Sequence, residues 1–143
     1  MDETRRTAVR TVVEIRLRSN VDDRGTLTAI EGGIEVPFEI ARCYFMHGVL
    51  GSRGGHAHRA SQQIVMAVAG SCRLRLSDGI ATEELLLDSP TRGVYIGPMT
   101  WIELPFVSPQ AVILVLASTH YDNTKVIRDW NEYVLEKEGR DQE

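Results

Sequence analysis

The feature that most constrains this chain is its run of short alternating segments cut by turn residues, with no helical period until close to the C-terminus. Val9 to Leu17 alternates late in its course, and Leu27 to Ile30 follows the turn Asp22-Asp23-Arg24-Gly25. Glu39 to Met46 is rich in β-branched and aromatic residues. Ile64 to Ala69 and Cys72 to Ser77 flank Gly70-Ser71, the pattern of a tight hairpin. In the second of these, Cys72, Leu74 and Leu76 share one face, and Arg73, Arg75 and Ser77 the other. After the turn signal Asp78-Gly79 come Thr82 to Leu87, Gly93 to Ile96, Thr100 to Leu104 and Ala111 to Ser118. Roughly nine or ten strands at such spacing predict an all-β sandwich or barrel of antiparallel strands. From about Lys125 to Glu138, Val126, Ile127, Trp130, Tyr133 and Val134 recur at helical spacing, which predicts one amphipathic helix packed on the outside. The chain reads as a single domain over 1–143, with its core at about 9–136 and loose ends at 1–8 and 139–143.

Composition narrows the function classes. The formal net charge of -4 excludes a general polyanion binder, so any phosphate contact must come from a few placed arginines. Nucleic acid is not an expected partner. The N-terminus carries no apolar segment of the secretory kind, and the longest apolar stretch, Ala111 to Ala117, is far too short to span a bilayer. A cytoplasmic protein with no membrane contact is expected. Cys43 and Cys72 both lie in apolar alternating runs and are expected to be buried thiols.

The most informative stretch is Ser52-Arg53-Gly54-Gly55-His56-Ala57-His58-Arg59. On a strand, His56 and His58 point to the same face. The two glycines let the backbone turn sharply or let a ligand approach closely. Four readings are open. The histidines can be structural. They can open a metal cluster, but the places where a carboxylate and a third histidine are wanted hold Gln62 or Gln63 and Ile102, while His47 and His120 fall outside the spacing. They can carry metal-free acid–base chemistry, since imidazole exchanges protons near neutrality and a guanidinium can neutralise an oxyanion. Or they can line a sugar or nucleotide site without chemistry.

Read in order, the motifs Asp22-Asp23-Arg24-Gly25-Thr26-Leu27, Pro37-Phe38-Glu39-Ile40-Ala41-Arg42-Cys43-Tyr44 and Arg53-Gly54-Gly55-His56-Ala57-His58 resemble those of the nucleotide-sugar 3,4-ketoisomerases. Leu87 to Pro90, Gly93 to Pro98, Trp101, Ala117-Ser118 and Tyr121-Asp122 continue the match, so it spans about residues 22 to 135. The resemblance implies a cupin jelly-roll β-barrel with a C-terminal helix, a homodimer, and a substrate of the TDP-4-keto-6-deoxy-D-glucose type. It implies migration of the ketone from C4 to C3 with neither metal nor other cofactor. The more distant TDP-4-keto-sugar 3,5-epimerases are similar at Arg24-Gly25 and from Arg53 to His56. Many members of the ketoisomerase family carry glutamate where Gln62 stands and histidine where Ile102 stands, which puts the proton relay, not the family, in question.

The implied chemistry removes a proton from C3 beside the C4 carbonyl and delivers one to C4 through an enediolate. Proton transfer is expected of His56 and His58, with Arg53, and Arg42 beside it, stabilising the oxyanion. Arg24 is expected at the diphosphate, Tyr44 at a sugar hydroxyl, and Tyr95 and Trp101 along the pocket. The rivals are a 3- or 3,5-epimerase, a non-catalytic nucleotide-sugar-binding domain and a metal-dependent cupin.

Overall fold

A computed structural model of the chain describes residues 4–142. The strands are β1 (Thr4–Arg6), β2 (Val12–Arg16), β3 (Arg18–Asp22), β4 (Gly25–Ala29), β5 (Arg42–His47), β6 (Arg53–His58) and β7 (Gln63–Ala69). They continue as β8 (Cys72–Ser77), β9 (Thr82–Leu87), β10 (Arg92–Ile96), β11 (Trp101–Val107), β12 (Val112–Ala117) and β13 (Val126–Ile127). Helix α1 (Trp130–Asp141) closes the chain. None of the described helices is long and apolar enough to cross a membrane.

Two antiparallel sheets form the body, in the orders β1-β2-β10-β7-β12-β5 and β13-β6-β11-β8-β9, and they are not joined into a closed barrel. Burial follows the period of two: β8 reads buried–exposed–buried, with Cys72, Leu74 and Leu76 in the inter-sheet core beside Val65, Ile102 and Val115. A second cluster, Leu17, Val36, Phe38, Ile64, Met66 and Leu116, covers the outer face of the larger sheet. A third, Ala57, Met99, Trp101, Ile127 and Tyr133, lies beneath α1.

The hairpin expected across Gly70-Ser71 is a corner instead. Strand β7 pairs with β10 and β12, whereas β8 pairs with β11 and β9 in the other sheet. Gly70 makes the sheet change in a left-handed conformation (φ 67°), where a Cβ would lie 2.7 Å from the Cα of Ala111. The hairpins of adjacent strands are β1–β2, β3–β4 and β8–β9, and β3–β4 pairs with neither large sheet.

Both ends differ from expectation. Thr4–Arg6 pairs with β2, and α1 runs on to Asp141. The helix also starts later than its hydrophobic period suggests. Asn123–Lys125 is a 3-10 turn, the β-branched Val126 and Ile127 pair with His58 and Ala57, and Asp129 caps α1 by accepting the Glu132 N–H. Cys72 is buried, but Cys43 is exposed, because β5 is an edge strand and Cys43 lies on its outer face.

Candidate active site

The cleft between the sheets is shaped by one irregularity. Residues 53 and 56 are three apart and would face opposite ways on a regular strand. Here Ile102 pairs with His56 and Glu103 with Gly54, so Gly55 is an extra residue in β6. The bulge reverses the parity, and Arg53, His56 and His58 line one cavity. Gly54 and Gly55 take φ of 105° and 83°, and a Cβ on Gly54 would sit 2.7 Å from the Cα of Glu103. Only glycine fits there without strain.

The cleft has an inner cavity of about 270 Å³ and an outer one of about 350 Å³, which share Tyr44, Arg53, His56 and Arg128. The inner floor is apolar, made by Met46, Val65, Leu74, Ile102, Leu104 and Val115. The walls are polar. The imidazoles of His56 and His58 stand edge to face, their centroids 4.9 Å apart. Gln63 Nε2 lies 3.0 Å from the Tyr44 hydroxyl and 3.1 Å from His58 Nε2.

Arg42, Arg53 and Arg128 all face this cleft, and among the described residues none of them forms an ion pair. The Arg42 guanidinium lies 5.0 Å from the centroid of the Tyr44 ring and 5.5 Å from that of Tyr121, with its Nε buried and without a hydrogen-bond partner. Such a cluster is built for an anion.

The electrostatics follow. Burial, with the nearby Arg128 and Arg53 charges, lowers the His56 imidazole. Burial, the His56 ring, Arg42 and Arg128 push His58 down to about 4. Both rings are therefore neutral at pH 7. Burial raises the Tyr44 phenol against the pull of Arg42 and Gln63, so it is neutral and a hydrogen-bond donor.

Three expected residues lie elsewhere. Tyr95 points to the outer face of β10, against Phe38, and donates to Gln62 Oε1 at 2.7 Å, because its neighbours Val94 and Ile96 take the core side. Trp101 pairs with Ala57 and packs under α1 against Trp130 and Tyr133, while the adjacent Ile102 turns inward. Arg24 stands on the β3–β4 turn, its side chain 87% exposed and paired with Asp22, and lines neither cavity.

Sequence reasoning gives no role in the site to Gln63, Tyr121 or Arg128, although Gln63 stands at a candidate metal-ligand position and Tyr121 lies in the family motifs. Strand β7 is buried on both faces from Gln63 to Ala67 and apolar from Ile64 on, so no alternation singles out Gln63; the bond from the Tyr95 hydroxyl places Gln62 on the outer face. Arg128 and Tyr121 arrive from the segment after β12, where no local pattern points to the cleft. Among the described residues no three His, Cys, Asp or Glu side chains come together, and the groups beside the two imidazoles are an amide, a phenol, an aliphatic chain and guanidinium cations. That donor set does not fit a metal centre.

A family model described as FdtA: WxcM-like, C-terminal matches residues 10–138. The chain is 40% identical over 134 residues, spanning 87% of itself and 96% of the relative, to the TDP-4-oxo-6-deoxy-alpha-D-glucose-3,4-oxoisomerase of Aneurinibacillus thermoaerophilus. It superposes on the crystal structure of QdtA, a sugar 3,4-ketoisomerase from Thermoanaerobacterium thermosaccharolyticum in complex with TDP, with TM-score 0.87, 36% identity and coverage of 91% of this chain and 96% of that one. The RmlC epimerase of Mycobacterium tuberculosis, at 18% identity, TM-score 0.78 and coverage of 87% and 72%, shares the cupin-like fold.

Proposed function

The chain belongs to the FdtA family and is a sugar 3,4-ketoisomerase, and from that premise we propose that it turns TDP-4-keto-6-deoxy-D-glucose into a TDP-3-keto-6-deoxyhexose by metal-free proton transfer in the histidine cleft. The observation that carries the assignment to this cleft is the company of His56 and His58: neutral imidazoles, a phenol, and three arginines without carboxylate partners.

In the first step an imidazole takes the C3 proton while the C4 carbonyl oxygen becomes an enolate oxygen. In the second, C4 receives a proton, the C3 hydroxyl gives up its own to become the C3 ketone, and the C4 oxygen takes one up to become the C4 hydroxyl. Atoms and charge balance without an oxidant. Arg53 and the Tyr44 hydroxyl face the cavity where the oxyanion develops, and a single donor of this kind typically stabilises the transition state by about 3 kcal/mol. Arg42 and Arg128 supply further positive charge for the diphosphate of the bound TDP-sugar.

The working form in this reading is a homodimer. Hairpin β3–β4 exposes Val21 (77%) and Leu27 (62%), and the edge strand β5 exposes Phe45 (60%), apolar surface that a second copy would cover. The two free thiols, one of them exposed, fit a reducing cytoplasm.

The deciding experiment incubates the protein with TDP-4-keto-6-deoxyglucose in deuterated water and follows the sugar by NMR. A carbonyl moved to C3 with deuterium entering at C4 supports the reading. Deuterium returned to C3 or C5 with the carbonyl still at C4 identifies an epimerase, and an unchanged carbonyl with no exchange identifies a binding domain.

A further inference from the structure

Gln63 is 2% exposed and sits at the start of β7, in the row where Ala117 of β12 pairs with both Gln63 and Arg42. The small Ala117 side chain between them leaves space above the sheet, and the Gln63 amide reaches across it to Tyr44 on one side and His58 on the other. A primary amide nitrogen carries two hydrogens and no acceptor lone pair. Both neighbours must therefore accept. At Tyr44 the amide occupies an oxygen lone pair and frees the phenolic O–H to point into the cavity. At His58 it fills the Nε2 lone pair, so the ring proton must sit on Nδ1.

We propose that Gln63 is a positioning residue that sets the polarity of the site: it caps His58 as the neutral Nδ1–H tautomer, leaves His56 as the base for the sugar proton, and turns the Tyr44 hydroxyl into a donor toward the substrate oxygen. This rests on the acid–base reading given above and divides its labour. The groups facing His58 agree with it. Besides Gln63 they are His56, Arg42 and Arg128, whose charges all oppose an imidazolium, with the Tyr44 and Tyr121 phenols in the same cavity; Asp122 lines the neighbouring cavity together with Lys125. A glutamate at position 63 would reverse the arrangement, since an acceptor-only carboxylate draws protons onto both His58 and Tyr44.

The test reads the tautomer directly in the unmodified protein by two-bond hydrogen–nitrogen correlation of its imidazoles, the His58 signals being identified by their loss in His58→Asn. The expected spectrum at neutral pH shows an unprotonated Nε2 and a protonated Nδ1 for His58. Gln63→Leu should abolish that preference. Gln63→Glu should raise the acid limb of the kcat/KM profile by about one to three pH units, because His58 then charges at higher pH. A protonated Nε2 on His58 in the unmodified protein, or a Gln63→Glu profile that superposes on the original, overturns the proposal. Full turnover in His56→Asn would overturn the acid–base reading and the role given to His56, while the His58 tautomer and its dependence on Gln63 would still be observed.

Discussion

Arg53 and His56 look into the same cavity only because Gly55 is inserted between them, an extra residue with no partner on β11. Deleting Gly55 should restore a regular ladder and turn the guanidinium outward. The expected outcome is a folded protein whose kcat falls as far as in Arg53→Ala, about a hundred- to a thousand-fold. Circular dichroism and steady-state assay with the 4-keto sugar nucleotide check both halves.

Gly54 tests the same bulge through stability. Alanine at this position meets the backbone of Glu103 and Leu104 at 2.7 and 2.9 Å and must adopt a φ of 105°. Gly54→Ala should cost about 1–3 kcal/mol for the backbone strain alone, read as a lower urea midpoint with an unchanged slope.

His56→Asn should lower kcat by about a hundred- to ten-thousand-fold while TDP binding, measured by calorimetry, changes little. An equal loss of TDP affinity would mean that the ring holds the nucleotide rather than moves a proton.

The buried imidazoles make stability depend on pH. His58 titrates near 6.5 when unfolded and near about 4 in the fold, and His56 is lowered as well, so the unfolded chain binds more protons between these limits. The His58 contribution is complete above about pH 6.5 and is lost as pH falls toward about 4, up to about 3 kcal/mol in all. Urea denaturation at about pH 7.5, 6 and 5 should show this slope in the original protein and a weaker one in His58→Asn.

Tyr133 joins α1 to the body. It is fully buried and donates to the carbonyls of Met99 (2.9 Å) and Ser77 (3.2 Å). Tyr133→Ala should destabilise the fold by about 3–5 kcal/mol, while Tyr133→Phe, which keeps the ring, should cost only about 1–3 kcal/mol. Because α1 follows directly on β13 and Arg128, the alanine variant should also raise KM.

Periodicity within each segment was legible from the sequence alone. It fixed the predominance of strands, the division of Cys72, Leu74 and Leu76 from Arg73 and Arg75, and the shared face of His56 and His58, because these depend only on backbone geometry over neighbouring residues. Which face turns inward, and which strands pair, depended on contacts between residues far apart in the chain. That is why Tyr95 and Trp101, each on the opposite side of its strand from an apolar neighbour, lie outside the cleft. It is also why the Gly70-Ser71 corner separates two sheets, and why Gln63 and Arg128 meet the histidines. A period of two assigns residues to sides; only packing against the rest of the molecule decides which side holds the chemistry.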